Sequence, residues 1–158
     1  MKDRGVVLAI HLQPARGQPP RSVGQARALV GFGLEGDCHG KHRPGSARQV
    51  LLVDRRTLEA LGFEPGALRE QLTVDLPGLD SLPPGVRLTV GEAVLEVTGA
   101  CHPCEVIGRI NAVADPYALR DALVGRRGVL AKVIEVVGEG RIRPGDPLVV
   151  QAPAPASP

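Results

Sequence analysis

Val86-Arg-Leu-Thr-Val90, Gly91-Glu92 and Ala93-Val-Leu-Glu-Val-Thr98 form the stretch on which the fold turns: two β-rich halves around a two-residue turn, read as a hairpin. Gly99-Ala-Cys-His-Pro-Cys104 follows at once. Outward from it, Pro83-Pro84-Gly85 turns the chain into the hairpin, and residues 72–76 and 129–137 read as flanking strands. Residues 6–12, 49–53 and 148–150 add strands, and 25–30 a strand or bent turn. Helices are few: Asp54 caps one over 55–61 that Gly62 ends, 116–123 starts on Pro116 and stops before Gly125, and 66–70 reads as one more helical turn. Twenty Gly and fifteen Pro, spread along the chain, keep every segment short. Such strands need closure to avoid long exposed edges, so the expected fold is mainly β with a few short helices, a closed or nearly closed β-barrel. At 158 residues, positions 1–150 make one domain, and the Pro/Ala-rich 151–158 a disordered tail.

Hydrophobic residues at 43% and charged residues at 23% match globular usage, and no apolar run approaches the ~20 residues needed to span a bilayer. The N-terminal apolar stretch reaches His11 too soon for a secretory signal, so a cytoplasmic location is expected, with no membrane partner. Nineteen Lys and Arg against seventeen Asp and Glu give a net charge of +2, too balanced for phosphate-backbone binding. One Tyr, two Phe and no Trp also remove base-stacking platforms, so nucleic acid is not expected, whereas a small anion is allowed. Three cysteines cannot all pair within one chain, and in a reducing compartment they serve metal binding, catalysis or packing.

Cys101-His102-Pro103-Cys104 offers half a metal site or a dithiol pair. A closed zinc site needs two more ligands; Cys38, His39 and His42 are what the rest of the chain offers, and adjacent residues rarely face one ion. Covalent haem would need histidine where Glu105 stands, and too few helices are present for a thioredoxin-like frame. Cys101, coming straight off a strand, reads equally well as a packing residue. Cys104, after Pro103 at a loop edge, is the expected reactive thiol. In the long loop 31–45, Gly33-Leu-Glu-Gly-Asp-Cys-His-Gly40 can aim Asp37 and His39 at a ligand, or merely form a tight turn in which Asp37 caps backbone donors. Arg69-Glu70-Gln71 enters a strand with polar side chains that an exposed helix end would also explain.

These segments, with Arg21-Ser22-Val23, Arg48-Gln-Val-Leu-Leu52, Gly125-Arg-Arg-Gly128 and Ile142-Arg-Pro-Gly-Asp146, resemble in their order a MOSC domain, the module named for the C-terminus of molybdenum cofactor sulfurase. The resemblance implies a β-barrel-like fold and a cysteine at Cys104 that carries sulfur or ligates molybdenum. It also implies that Arg21, Ser22, Asp37, His39, Arg48, Arg69 and Gln71 hold the molybdenum cofactor (molybdopterin) and its phosphate. Two positions depart from the pattern: Cys38 stands where the family often has Arg, and Gln71 where it commonly has Asn.

Three readings follow. One is a stand-alone binding domain that holds the cofactor through Cys104 and reduces N-hydroxylated substrates with electrons from a partner reductase. Another is a sulfur carrier that receives a persulfide on Cys104 from a cysteine desulfurase, pyridoxal phosphate residing only on that partner. The third is a zinc-stapled interaction module. Asp37, His39, Arg48, Arg69 and Cys104 are expected to converge on one basic pocket; the oligomeric state stays open.

Overall fold

The computed structural model describes residues 3–39 and 44–151. In chain order the elements are strands β1 (Arg4–Leu12), β2 (Arg21–Val23), β3 (Ala26–Leu29), β4 (Gly33–Leu34) and β5 (Val50–Asp54), helix α1 (Arg55–Leu61) and strand β6 (Leu72–Asp75). After a single 3-10 turn at Leu79–Ser81 come β7 (Arg87–Val90), β8 (Ala93–Ala100), α2 (Val106–Ile110), α3 (Pro116–Ala122), β9 (Val129–Val136), β10 (Arg141–Ile142) and β11 (Pro147–Gln151). Seven strands close in the order β1-β11-β7-β8-β9-β5-β6 and back to β1, a closed barrel, with β2 added to the far end of β1. A small sheet, β10-β3-β4, lies beside it. All barrel pairings are antiparallel except β5 with β6, the pair that α1 connects.

The hairpin forms as read: Val90 pairs with Ala93 and Arg87 with Glu96, so Gly91-Glu92 is the whole loop. Leu88, Val90, Ala93, Leu95 and Val97 alternate inward and are buried in the barrel core. Strand β5 is buried on both faces: Val50 and Leu52 point into the barrel, while Leu51 and Val53 point outward into a second apolar cluster. That outer cluster joins Leu58 of α1, Ile107 of α2, and Leu119 and Leu123 of α3, with Leu68 and Cys101, so the helices are fastened to one side of the barrel.

Helix α1 begins and ends where expected, with the Asp54 side chain accepting from the Arg56 N–H and Gly62 left-handed at its end. Residues 66–70 are not helical. Two successive turns run from Glu64 to Arg69, and the Glu70 carboxylate takes the Leu68 N–H that a helix would have used. Helix α2 has no counterpart among the elements read from the sequence. Gln151 closes β11, and the rest of the expected tail, 152–158, lies outside the described residues, as does His42. Among the described residues no helix is long and apolar enough to cross a membrane.

Candidate functional site

A cavity of about 170 Å³ lies between the outer face of β5, the turn before β6, the end of β8 and the turn before β9. Leu51, Leu130 and Cys101 form its apolar wall; His39, Arg48, Arg69, Gln71 and Arg127 supply its polar groups. No carboxylate is among these lining residues, so three guanidinium groups share a small space.

Each polar side chain is placed by the backbone beneath it. The Glu70 carboxylate, buried, accepts from the Leu68 N–H (3.1 Å) and the Thr73 hydroxyl (2.9 Å) and so fixes the turn that carries Arg69. Arg69 itself has φ 60°, a left-handed conformation that costs an arginine about 1–3 kcal/mol and persists only where surroundings impose it. Gln71 is tied to β5 twice, its N–H donating to the Leu51 carbonyl and its Oε1 accepting from the Leu51 N–H (2.7 Å).

Asp37 is buried behind the cavity and accepts from the Gln13 N–H (2.8 Å), the His39 N–H (3.1 Å) and the His39 ring at Nδ1 (2.9 Å). Burial alone would raise its carboxyl, but the bonds from His39 and Gln13 outweigh that and hold it below the ordinary 3.8. An ionised Asp37 requires the proton on His39 Nδ1. Gln71 Nε2, 3.1 Å from that same nitrogen, then turns its donor to Asp37 Oδ1 (3.4 Å), and the histidine keeps Nε2 for a ligand.

Asp37→Ala is expected to cost about 2–3 kcal/mol by leaving the buried Gln13 N–H without an acceptor. Because the folded value is depressed, the charge-dependent part of this contribution is complete at neutral pH and is lost as pH falls below about 3.8, whereas a protonated carboxyl can still accept from the Gln13 N–H. Urea unfolding of both proteins at pH 7 and below pH 4 checks it: the gap between them narrows in acid.

Arg69 Nε and Arg127 Nη1 are buried and have no hydrogen-bond partner among the described residues. A guanidinium removed from water without an acceptor is costly, and an anion in the cavity would relieve both at once. Arg127, the most buried arginine among the described residues, enters the sequence reading only as part of Gly125-Arg-Arg-Gly128, and the two glycines that bracket the arginine pair are both at positive φ.

The other candidates lie elsewhere. Cys104 is exposed and does not line the cavity, whereas Cys101, three residues earlier, is buried and does. Arg21 and Ser22 are exposed on β2, paired with Leu12 and His11. Cys38 is partly buried, with Sγ 3.9 Å from His39 Nδ1. Among the described residues no group of three or more His, Cys, Asp or Glu is placed to hold a metal ion.

The MOSC domain family matches residues 39–149. The YUAD protein from Bacillus subtilis has a similar structure, at 20% identity and a TM-score of 0.78 over 93% of this chain and 95% of that one. YiiM from Escherichia coli is 20% identical with a TM-score of 0.69, covering 96% and 71% of the two chains, and YiiM from Geobacillus stearothermophilus gives 20% and 0.69 over 94% and 75%. At such identity the likenesses show the fold alone. No curated protein matches the chain.

Proposed function

Since the chain belongs to the MOSC domain family, we propose that it is a cytosolic protein whose MOSC domain holds molybdenum cofactor, with the basic cavity taking the anionic end and Cys104 serving as the soft ligand. The observation that carries this reading is the pair of buried, unpartnered guanidinium nitrogens of Arg69 and Arg127. Size supports it too: pockets that enclose a drug-sized ligand run to about 300–1,000 Å³, so a cavity of about 170 Å³ holds a phosphate-sized group and leaves the remainder of the ligand outside. When bound, the cofactor would supply the redox chemistry for reducing N-hydroxylated substrates with electrons from a partner reductase. Arg69 and Arg127 donate to the anion, Arg48 adds charge, and His39, fixed by Asp37, offers Nε2.

The test is Arg127→Met. It should weaken cofactor retention by about 10- to 100-fold, as loss of a charge-assisted hydrogen bond does, and at the same time raise the melting temperature of the ligand-free protein because an uncompensated buried charge is gone. Molybdenum and pterin content of protein made in a cofactor-producing host reads the first effect, and calorimetry the second. Unchanged retention with unchanged or lowered stability would remove the anion site.

A second reading is favoured by the exposure of Cys104 outside the cavity lining: a thiol so placed is open to a cysteine desulfurase whose pyridoxal phosphate generates a persulfide. Persulfide on Cys104 without retained pterin would select this reading over the first.

A further inference from the structure

The segment Arg126-Arg127-Gly128 joins α3 to β9, and its backbone is held on both sides of Arg127 by the side chains of Thr57 and Asp80, neither of which lines the basic cavity. The buried Thr57 of α1 donates its hydroxyl to the Arg126 carbonyl (3.2 Å). Asp80, in the 3-10 turn, accepts the Gly128 N–H at Oδ1 (3.0 Å), and the Gly128 carbonyl in turn accepts the Cys101 N–H (2.9 Å). Asp80, Thr57 and Arg126 border a separate cavity of about 360 Å³ that also contains Asp54 and Arg56. The 126–128 backbone is thus a partition, with Arg126 on one side and Arg127 on the other.

Arg127 Nη1 has no partner among the described residues, so the place of its guanidinium is set through the backbone. Burial, with the nearby Asp54 charge, pushes the Asp80 carboxyl up despite the bond it accepts from the Gly128 N–H. We propose that Asp80, with Thr57 as second anchor, is the positioning residue for Arg127, setting the strength of anion binding from the opposite side of the partition. The proposal rests on the reading of the cavity as an anion site.

Titration calorimetry with inorganic phosphate, together with the ¹⁵N-detected Nε–H resonance of Arg127 assigned from Arg127→Met, tests it on the full chain. Asp80→Ala should displace that resonance and weaken phosphate binding about tenfold, the scale on which a small misplacement acts. Asp80→Asn, which keeps an acceptor oxygen, should restore binding to within about threefold of wild type. Adding Asp80→Ala to Arg127→Met should weaken binding no further. Should Asp80→Ala fail to fold, Thr57→Val, which loses only the hydroxyl donor, should displace the resonance and weaken phosphate in the same direction. Phosphate affinity and resonance unmoved by Asp80→Ala, or by Thr57→Val in its place, while Arg127→Met weakens binding, would overturn the positioning role and leave the anion site standing. If wild type does not bind phosphate, the anion reading falls, and the resonance alone decides whether Asp80 positions Arg127.

Discussion

Gly128→Ala should destabilise the protein by more than about 4 kcal/mol, enough to unfold a marginal domain. Gly128 has φ +101°, and a Cβ built on it would sit 2.3 Å from the Leu52 carbonyl oxygen and 2.9 Å from Val53 Cγ2. Both obstacles belong to β5, which is buried on its two faces and has no room to retreat. The control is Gly125→Ala, where φ is +78° but nothing lies within 4 Å of the added carbon; backbone strain alone, about 1–2 kcal/mol, is expected there. Urea or thermal unfolding followed by circular dichroism compares the two. Equal losses would mean that the approach of the turn to β5 is looser than the structure has it.

Cys104→Ser should slow the fast alkylation of the native protein about a hundredfold and remove bound molybdenum or persulfide, while Cys101→Ser does neither. The contrast follows from exposure: Cys104 lies at the surface, and Cys101 is buried with Leu51, Val53 and Ile107 in the outer cluster and shows only a small part of itself to the cavity, so reagent reaches it far more slowly. Cys101→Ser places a hydroxyl in that apolar wall and should instead lower stability by about 1–2 kcal/mol. Iodoacetamide kinetics with mass-spectrometric site assignment separates the three thiols. Persistence of the fast phase and of loading in Cys104→Ser would return the Cys101–Cys104 pair to a structural role.

The hairpin and α1 were legible in the sequence because their signals are local: a two-residue turn between β-rich runs, and an Asp cap with a Gly stop. Helix α2 was not, since Val106-Ile-Gly-Arg-Ile110 carries β-branched residues and a glycine that disfavour helix; burial of Ile107 in the outer cluster decides it. The polar loop residues His39, Arg48, Arg69 and Gln71 could be named from the chain, yet their meeting in one cavity depends on how β5 lies between β6 and β9, a long-range fact. Arg127 was invisible for a related reason: nothing in Gly125-Arg-Arg-Gly128 says which arginine turns inward, because Thr57 and Asp80, far away in sequence, hold the backbone that decides. Conversely, the register of β2 on β1 sets Arg21 and Ser22 outside the cavity lining, and no local pattern encodes that register.

The pairing of Arg4 with Val149 also bears on how the protein is made. On the ribosome β1 emerges first among the barrel strands and the strand that completes its edge emerges last, so the nascent domain carries an unpaired β edge until β11 has been made. Closure waits until β11 has been made, and is limited by the search for a contact between the first and last strands of the fold. Until then the inward rows of Val7 and Ile10 lack their lid, which leaves the incomplete barrel more open to association than the finished one.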